Sequence, residues 1–192
     1  ERHLGFYALY VMFFPQLVAG PIERPAHLLP QLKRSASFSW PNVESGARLI
    51  AWGFFKKLVI ADQLAVSVDY IYGNAGALAG PSIVVGMAFF ALQLYADFSG
   101  YTDIARGSAR LLGIELVLNF RQPYFSRSIA EFWRRWHISL SSWFRDYFYY
   151  PLVYVPKRAT RAWLYACVII TFMVTGLWHG AGWTFICMGA LF

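Results

Sequence analysis

The chain reads as all-α, an integral-membrane multi-helix bundle, on three observations. Its 192 residues are 58% hydrophobic and only 14% charged, against roughly a quarter charged in a soluble domain. Residues 162–178 form a run of seventeen without an acidic, basic or histidine side chain, close to the roughly 20 needed to cross a bilayer core. Finally, 17 Phe, 12 Tyr and 8 Trp supply the amphipathic rings that settle at headgroup level.

Taken in order, residues 4–18 are apolar but short for a crossing, broken by Pro15 and closed by Gly20-Pro21. Residues 24–42 are rich in Pro, Ser and basic side chains and read as a loop. Residues 46–72 have helical length and apolar faces. Lys56, Lys57 and Asp62 within them predict an interfacial segment or one lining a wet cavity. Residues 79–98 make a better span, with Asp97 at its end, and residues 118–127 read as a second loop. Residues 162–178 are the clearest span, and 183–192 open another. The sequence starts at Glu1 without a methionine and stops at Phe192 inside an apolar run. Residues 1–192 are therefore expected to be a single partial membrane domain of a longer protein.

Charge is unevenly placed. Residues 121–161 hold eight Lys/Arg against two acids, nearly all of the net +7. By the positive-inside rule this region faces the cytoplasm. Its position between spans argues against nucleic acid and leaves acidic membrane lipids or a phosphate-bearing donor as the partner. Within it Ile129, Phe132, Trp133, Trp136, Leu140, Trp143, Phe144 and Tyr147 recur at steps of three and four, the apolar stripe of one helix. Such a helix lies in the headgroup boundary with Arg134 and Arg135 towards water and phosphate. His137 falls at the stripe's apolar edge, either packed against a carbonyl or reserved for chemistry.

His179 ends the clearest span, inside the break Gly176 to Trp183. An ionisable ring at that depth is a functional candidate by default. Its plainer readings are a hydrogen-bonded helix end or an interfacial anchor beside Trp178 and Trp183. Asp103, Arg106 and Arg110 share a helix face and predict an internal ion pair. The histidines lie in separate segments with no HxxxH or CxxC spacing, so no metal site is expected. Cys167 and Cys187, both in apolar segments, support no disulfide framework.

Four long blocks then align with a known pattern: FFPQLVAGPIERP from Phe13, LYADFSGYTDIARG from Leu94, NFRQPYFSRSIAEFWRRWHISLSSWFRDYFYYPL from Asn119 and GLWHGAGWTF from Gly176. In these the chain resembles the membrane-bound O-acyltransferase family, in particular its bacterial branch around alginate O-acetyltransferase. The resemblance implies a helix bundle around a central tunnel in the bacterial cytoplasmic membrane, entered by an acyl thioester, acetyl-CoA being the expected co-substrate, with no bound cofactor. His179 matches the family's most characteristic histidine and His137 its second signature position. Arg134, Arg135, Asp97, Tyr101 and Trp178 become expected substrate-binding residues. The acceptor implied is an exported polysaccharide, reached directly or through an extracytoplasmic acetyltransferase or carrier partner. After Tyr150 the chain departs from the alginate branch: Pro151 to Arg158 stand where a glycine-rich basic turn is expected. That keeps D-alanyl transfer to teichoic acid, acylation of a lipid or protein, and a channel or carrier for an acylated species as alternatives. His179 is expected to lie buried in the lipid-spanning passage.

Overall fold

A computed structural model describes residues 3–35, 37–156 and 160–191. The chain forms two compact units, Glu1–Arg121 and Gln122–Phe192. Among the described residues all regular structure is helical.

The first unit opens with α1 (Leu4–Met12) and a 3-10 turn at Phe14–Gln16 around Pro15. Next comes α2 (Pro25–Leu32), inside the stretch expected to be a loop. Composition misleads there: Pro25 occupies the first helical position, where a missing N–H costs nothing and a fixed φ helps. Helix α3 (Trp40–Phe54) runs through a π-helical stretch, Phe55–Ala61, into α4 (Asp62–Gly73). Helix α5 (Gly80–Leu111) extends well beyond the expected span. It stops in a Schellman motif. Gly113 takes φ 75°, its N–H reaches the Arg110 carbonyl at 2.9 Å, and the Ile114 N–H reaches Ala109 at 3.0 Å.

Helices α3 and α5 pack through glycine. A Cβ on Gly53 would lie 2.6 Å from the Gly100 carbonyl oxygen, and one on Gly46 2.8 Å from that of Gly107. The pairs are seven residues apart on both helices, so the backbones touch at successive contacts of one seam, the small-residue packing typical of membrane helices. Just past it, Lys56 is 8% exposed. Its Nζ donates to Asp103 Oδ2 at 2.6 Å and to Ser99 Oγ at 3.1 Å. Asp103 is therefore claimed mainly across the seam, with Arg106 farther off at 3.7 Å and Arg110 paired instead with Glu115 at 2.6 Å. The ion pair expected on the face of Asp103, Arg106 and Arg110 is thus present at Arg106, and spacing along one helix gave no sign of the closer partner on another.

Buried Glu23 ties the unit's ends together. Its Oε1 accepts the Val117 N–H at 2.6 Å, Oε2 meets His27 Nδ1 at 2.7 Å, and its carbonyl accepts the Tyr10 hydroxyl at 2.8 Å. Beside it, Phe13, Leu28, Ala109 and Leu116 form the hydrophobic core.

The second unit begins with a 3-10 turn at Pro123–Phe125. Helix α6 (Ile129–Arg135) is capped by Ser128, whose side chain accepts the Glu131 N–H at 3.1 Å, while Glu131 accepts the Arg127 N–H at 2.7 Å. The single helix expected over residues 129–147 is corrected. Trp136 is extended, His137 is left-handed, and α7 (Ile138–Phe144) starts afresh before a second π stretch, Arg145–Tyr149, and α8 (Tyr150–Val153). Apolar periodicity reports which side a residue faces and is blind to one inverted φ. Helix α9 (Arg161–His179) then pairs with α10 (Trp183–Leu191). Gly176 meets the Phe185 carbonyl and Gly189 that of Phe172, with no room for a Cβ at either. Lys157 and Arg158 of the expected departure lie outside the described residues.

Helices α5 and α9 are long and apolar enough to cross a membrane. At 1.5 Å per residue, the 19 residues of α9 rise about 28 Å, one hydrocarbon core. Large apolar side chains on both units, Leu4, Val18, Val66, Tyr165 and Leu191 among them, are more than two-thirds exposed. That is the surface of a chain whose solvent is lipid.

Candidate active site

His137 is fixed by its backbone as much as by its packing. Its φ of 43° and ψ of 54° place a β-carbon-bearing residue in the left-handed region, a conformation costing roughly 1–2 kcal/mol. Such strain survives where the surroundings over-determine it, and it clusters at functional sites. Here the Ser141 N–H donates to the His137 carbonyl at 3.0 Å and the Ser141 hydroxyl to the Trp136 carbonyl at 3.2 Å, clamping both peptides at the step. The residue is 6% exposed. Its pKa is lowered to about 4, first by burial and second by the charge of His179. His137 lies outside the two candidate spans and is uncharged at neutral pH.

His179 is the last residue of α9, which ends as Gly180 N–H bonds to Leu177 O at 3.2 Å. Trp178 stands edge-on to its ring, 5.1 Å between centroids. The expected burial of His179 is corrected: within this chain it is exposed, and so is Trp178. No further turn of α9 follows to cover them. The electrostatic reach of His179 to His137 nevertheless joins the two rings in one unit.

The remaining expected residues separate into groups. Arg135 is committed to Glu131, Nη2 to Oε1 at 2.5 Å, whereas Arg134 is exposed on the same helix. Asp97 and Tyr101 belong to α5 in the first unit, and Asp97 is held by Lys57 at 2.7 Å, which also binds Asp62 at 2.8 Å. The Glu23–His27 pair went unnoticed in the sequence, although the i, i+4 spacing of an acid and a histidine on a helix-length segment was the available signal. Among the described residues no group of three or more His, Cys, Asp or Glu could hold a metal ion.

Comparison with known proteins bears on this arrangement. Residues 3–192 match the model of a family described as membrane-bound O-acyltransferases. The chain is 41% identical over 191 residues to a peptidoglycan O-acetyltransferase of Helicobacter pylori, covering 98% of this chain and 36% of that protein. It is 43% identical over 189 residues to a "probable alginate O-acetylase" of Azotobacter vinelandii, covering 98% of this chain and 37% of the relative. A teichoic acid D-alanyltransferase of Streptococcus thermophilus is 33% identical over 206 residues, 98% of this chain and 48% of its own. The chain thus spans a little over a third of the length of the two acetyl-transferring relatives.

Proposed function

The chain belongs to the membrane-bound O-acyltransferase family, and on that premise we propose that it forms part of an enzyme passing an acetyl group from a cytoplasmic thioester to a hydroxyl of an exported polysaccharide. The observation that carries this reading is a buried, uncharged His137 under the electrostatic reach of a second histidine at the end of a span-length helix. Two of the relatives are named for acetyl transfer to polymers of sugars, which supports the acceptor class.

A neutral alcohol attacks a thioester slowly. In this reading His179 accepts the hydroxyl proton as the oxygen adds to the carbonyl. The C–S bond breaks once the C–O bond has formed, and the imidazolium returns the proton to the departing thiolate. His137, with a pKa of about 4, is too weak a base for that role near neutrality. Its buried, neutral ring instead orients the acceptor hydroxyl beside the carbonyl under attack. Arg134, exposed beside this step, meets the phosphates of acetyl-CoA as a bidentate donor. Trp178 borders the reacting groups, and Arg135 holds α6 through Glu131. Both units serve one multi-pass domain in the bacterial cytoplasmic membrane, with an extracytoplasmic acetyltransferase or carrier finishing the transfer.

The deciding experiment follows radiolabelled acetyl groups from acetyl-CoA in membranes containing the full-length protein. His179→Ala is expected to insert normally and to lose transfer by about 10²–10⁴-fold, the usual worth of a general base. Full transfer in that variant would remove His179 from the reaction. Undiminished passage of an already acylated species would turn the reading to a carrier.

A further inference from the structure

Between α7, the π stretch after it and α9 lies a half-open cavity of about 240 Å³, walled by Trp133, Leu140, Phe144, Val168 and Phe172. Four hydroxyl residues also border it, and Ser141, Thr171 and Thr175 each turn theirs to the backbone. Ser141 donates to Trp136 at 3.2 Å, Thr171 to Cys167 at 2.6 Å and Thr175 to Thr171 at 2.8 Å. The walls are therefore mainly apolar, the Tyr149 hydroxyl and the Trp133 indole being the other polar groups of the uncharged lining. One charged side chain reaches the rim, Arg145. Its Nε donates to Asp146 Oδ1 at 2.8 Å, and the side chain is about half exposed. Tyr149, four residues on, reaches the same rim at the far end of the π stretch, and π insertions recur at functional positions.

We propose that this cavity holds part of one acyl chain of an anionic bilayer phospholipid, with the lipid phosphate on Arg145. Taking roughly 30 Å³, water's share of its liquid, as the size of a methylene, the space takes about eight of them. Water is a poor occupant because the bordering Ser and Thr hydroxyls are already bonded and most of the lining is apolar. Val168, Thr171, Phe172 and Thr175 belong to α9, a helix of membrane-crossing length, so the opening stands within reach of lipid tails. A guanidinium at the rim supplies the matching charge for a phosphate and sets the preference for an acidic headgroup. Neither part of the argument depends on the acyl-transfer reaction.

The test uses the full-length protein in nanodiscs containing phosphatidylglycerol with a photoreactive diazirine in one tail, against the phosphatidylcholine analogue. Photolysis followed by peptide mapping is expected to place adducts on α7 and α9. Thr171→Trp and Val168→Trp, which fill the cavity from one wall, are each expected to abolish them. Arg145→Gln is expected to leave the phosphatidylcholine signal unchanged and to lower the phosphatidylglycerol signal about fivefold, the worth of one near-surface cation. Equal labelling by the two lipids in the unaltered protein would overturn the proposal. So would adducts indifferent to both tryptophans. Displacement by a decanoyl thioester with no headgroup preference would also overturn it, assigning the cavity to an acyl donor. Where a tryptophan disturbs packing, the rim variant still decides: an unchanged lipid preference in Arg145→Gln overturns the proposal.

Discussion

A positive charge on His179, at the end of α9, disfavours a second positive charge on the buried ring of His137. That repulsion adds to burial in keeping the His137 ring neutral.

The coupling has a stability consequence. Burial first and His179 second lower the His137 pKa from 6.5 to about 4. Between those values the unfolded chain binds a proton that the folded chain refuses, so stability rises with pH through the window and is lost as pH falls from 6.5 towards 4. The full term is about 3 kcal/mol, at 1.36 kcal/mol per pKa unit. Thermal melts of purified protein should show wild type losing more stability than His137→Gln between pH 7 and pH 4. Parallel melting curves would contradict the assignment.

Lys56 and Asp103 form a buried pair at the α3–α5 seam. Removing one partner strands the other, so Lys56→Met alone or Asp103→Leu alone should cost about 3–5 kcal/mol, while the double variant should recover most of it. A double-mutant cycle in detergent checks this. Additive losses would mean that the two charges do not depend on each other.

Gly53 and Gly73 make a matched comparison. A methyl on Gly53 meets the Gly100 carbonyl at 2.6 Å, whereas one on Gly73 meets nothing within 4 Å. Gly53→Ala should therefore destabilise by about 1–3 kcal/mol through overpacking. Gly73→Ala should be neutral or stabilise by about 0.4–1 kcal/mol. Melting temperatures read both signs.

Ser128 offers a smaller test. Its side chain accepts the Glu131 N–H at 3.1 Å. Ser128→Ala should cost about 1 kcal/mol, the usual worth of an N-cap, and native-state hydrogen exchange should place the loss in the first turn of α6. Unchanged protection there would mean that the cap is redundant with the Glu131 contact to Arg127.

Which parts were legible beforehand follows from what each signal measures. Helix α9 was plain because seventeen residues without charge leave few other structures open. His137 could be placed on the apolar side because periodicity reports facing, and it is indeed buried. Its left-handed turn was hidden, since φ at one position leaves no mark on a hydrophobic pattern. Helix α2 escapes a reading by composition because the effect of a proline depends on its position: Pro25 starts the helix. Partners such as Lys56 with Asp103, 47 residues apart, come only from the fold.

The buried carboxylate of Glu23 reaches across 94 residues to the Val117 N–H. During synthesis the ribosome releases the first four helices well before that donor exists, so the acid emerges early and waits for its backbone partner. Until residue 117 is delivered only the local contacts of Glu23, to His27 and Tyr10, can form. A nascent chain halted before Val117 should therefore leave one oxygen of this carboxylate without the partner it has in the finished unit.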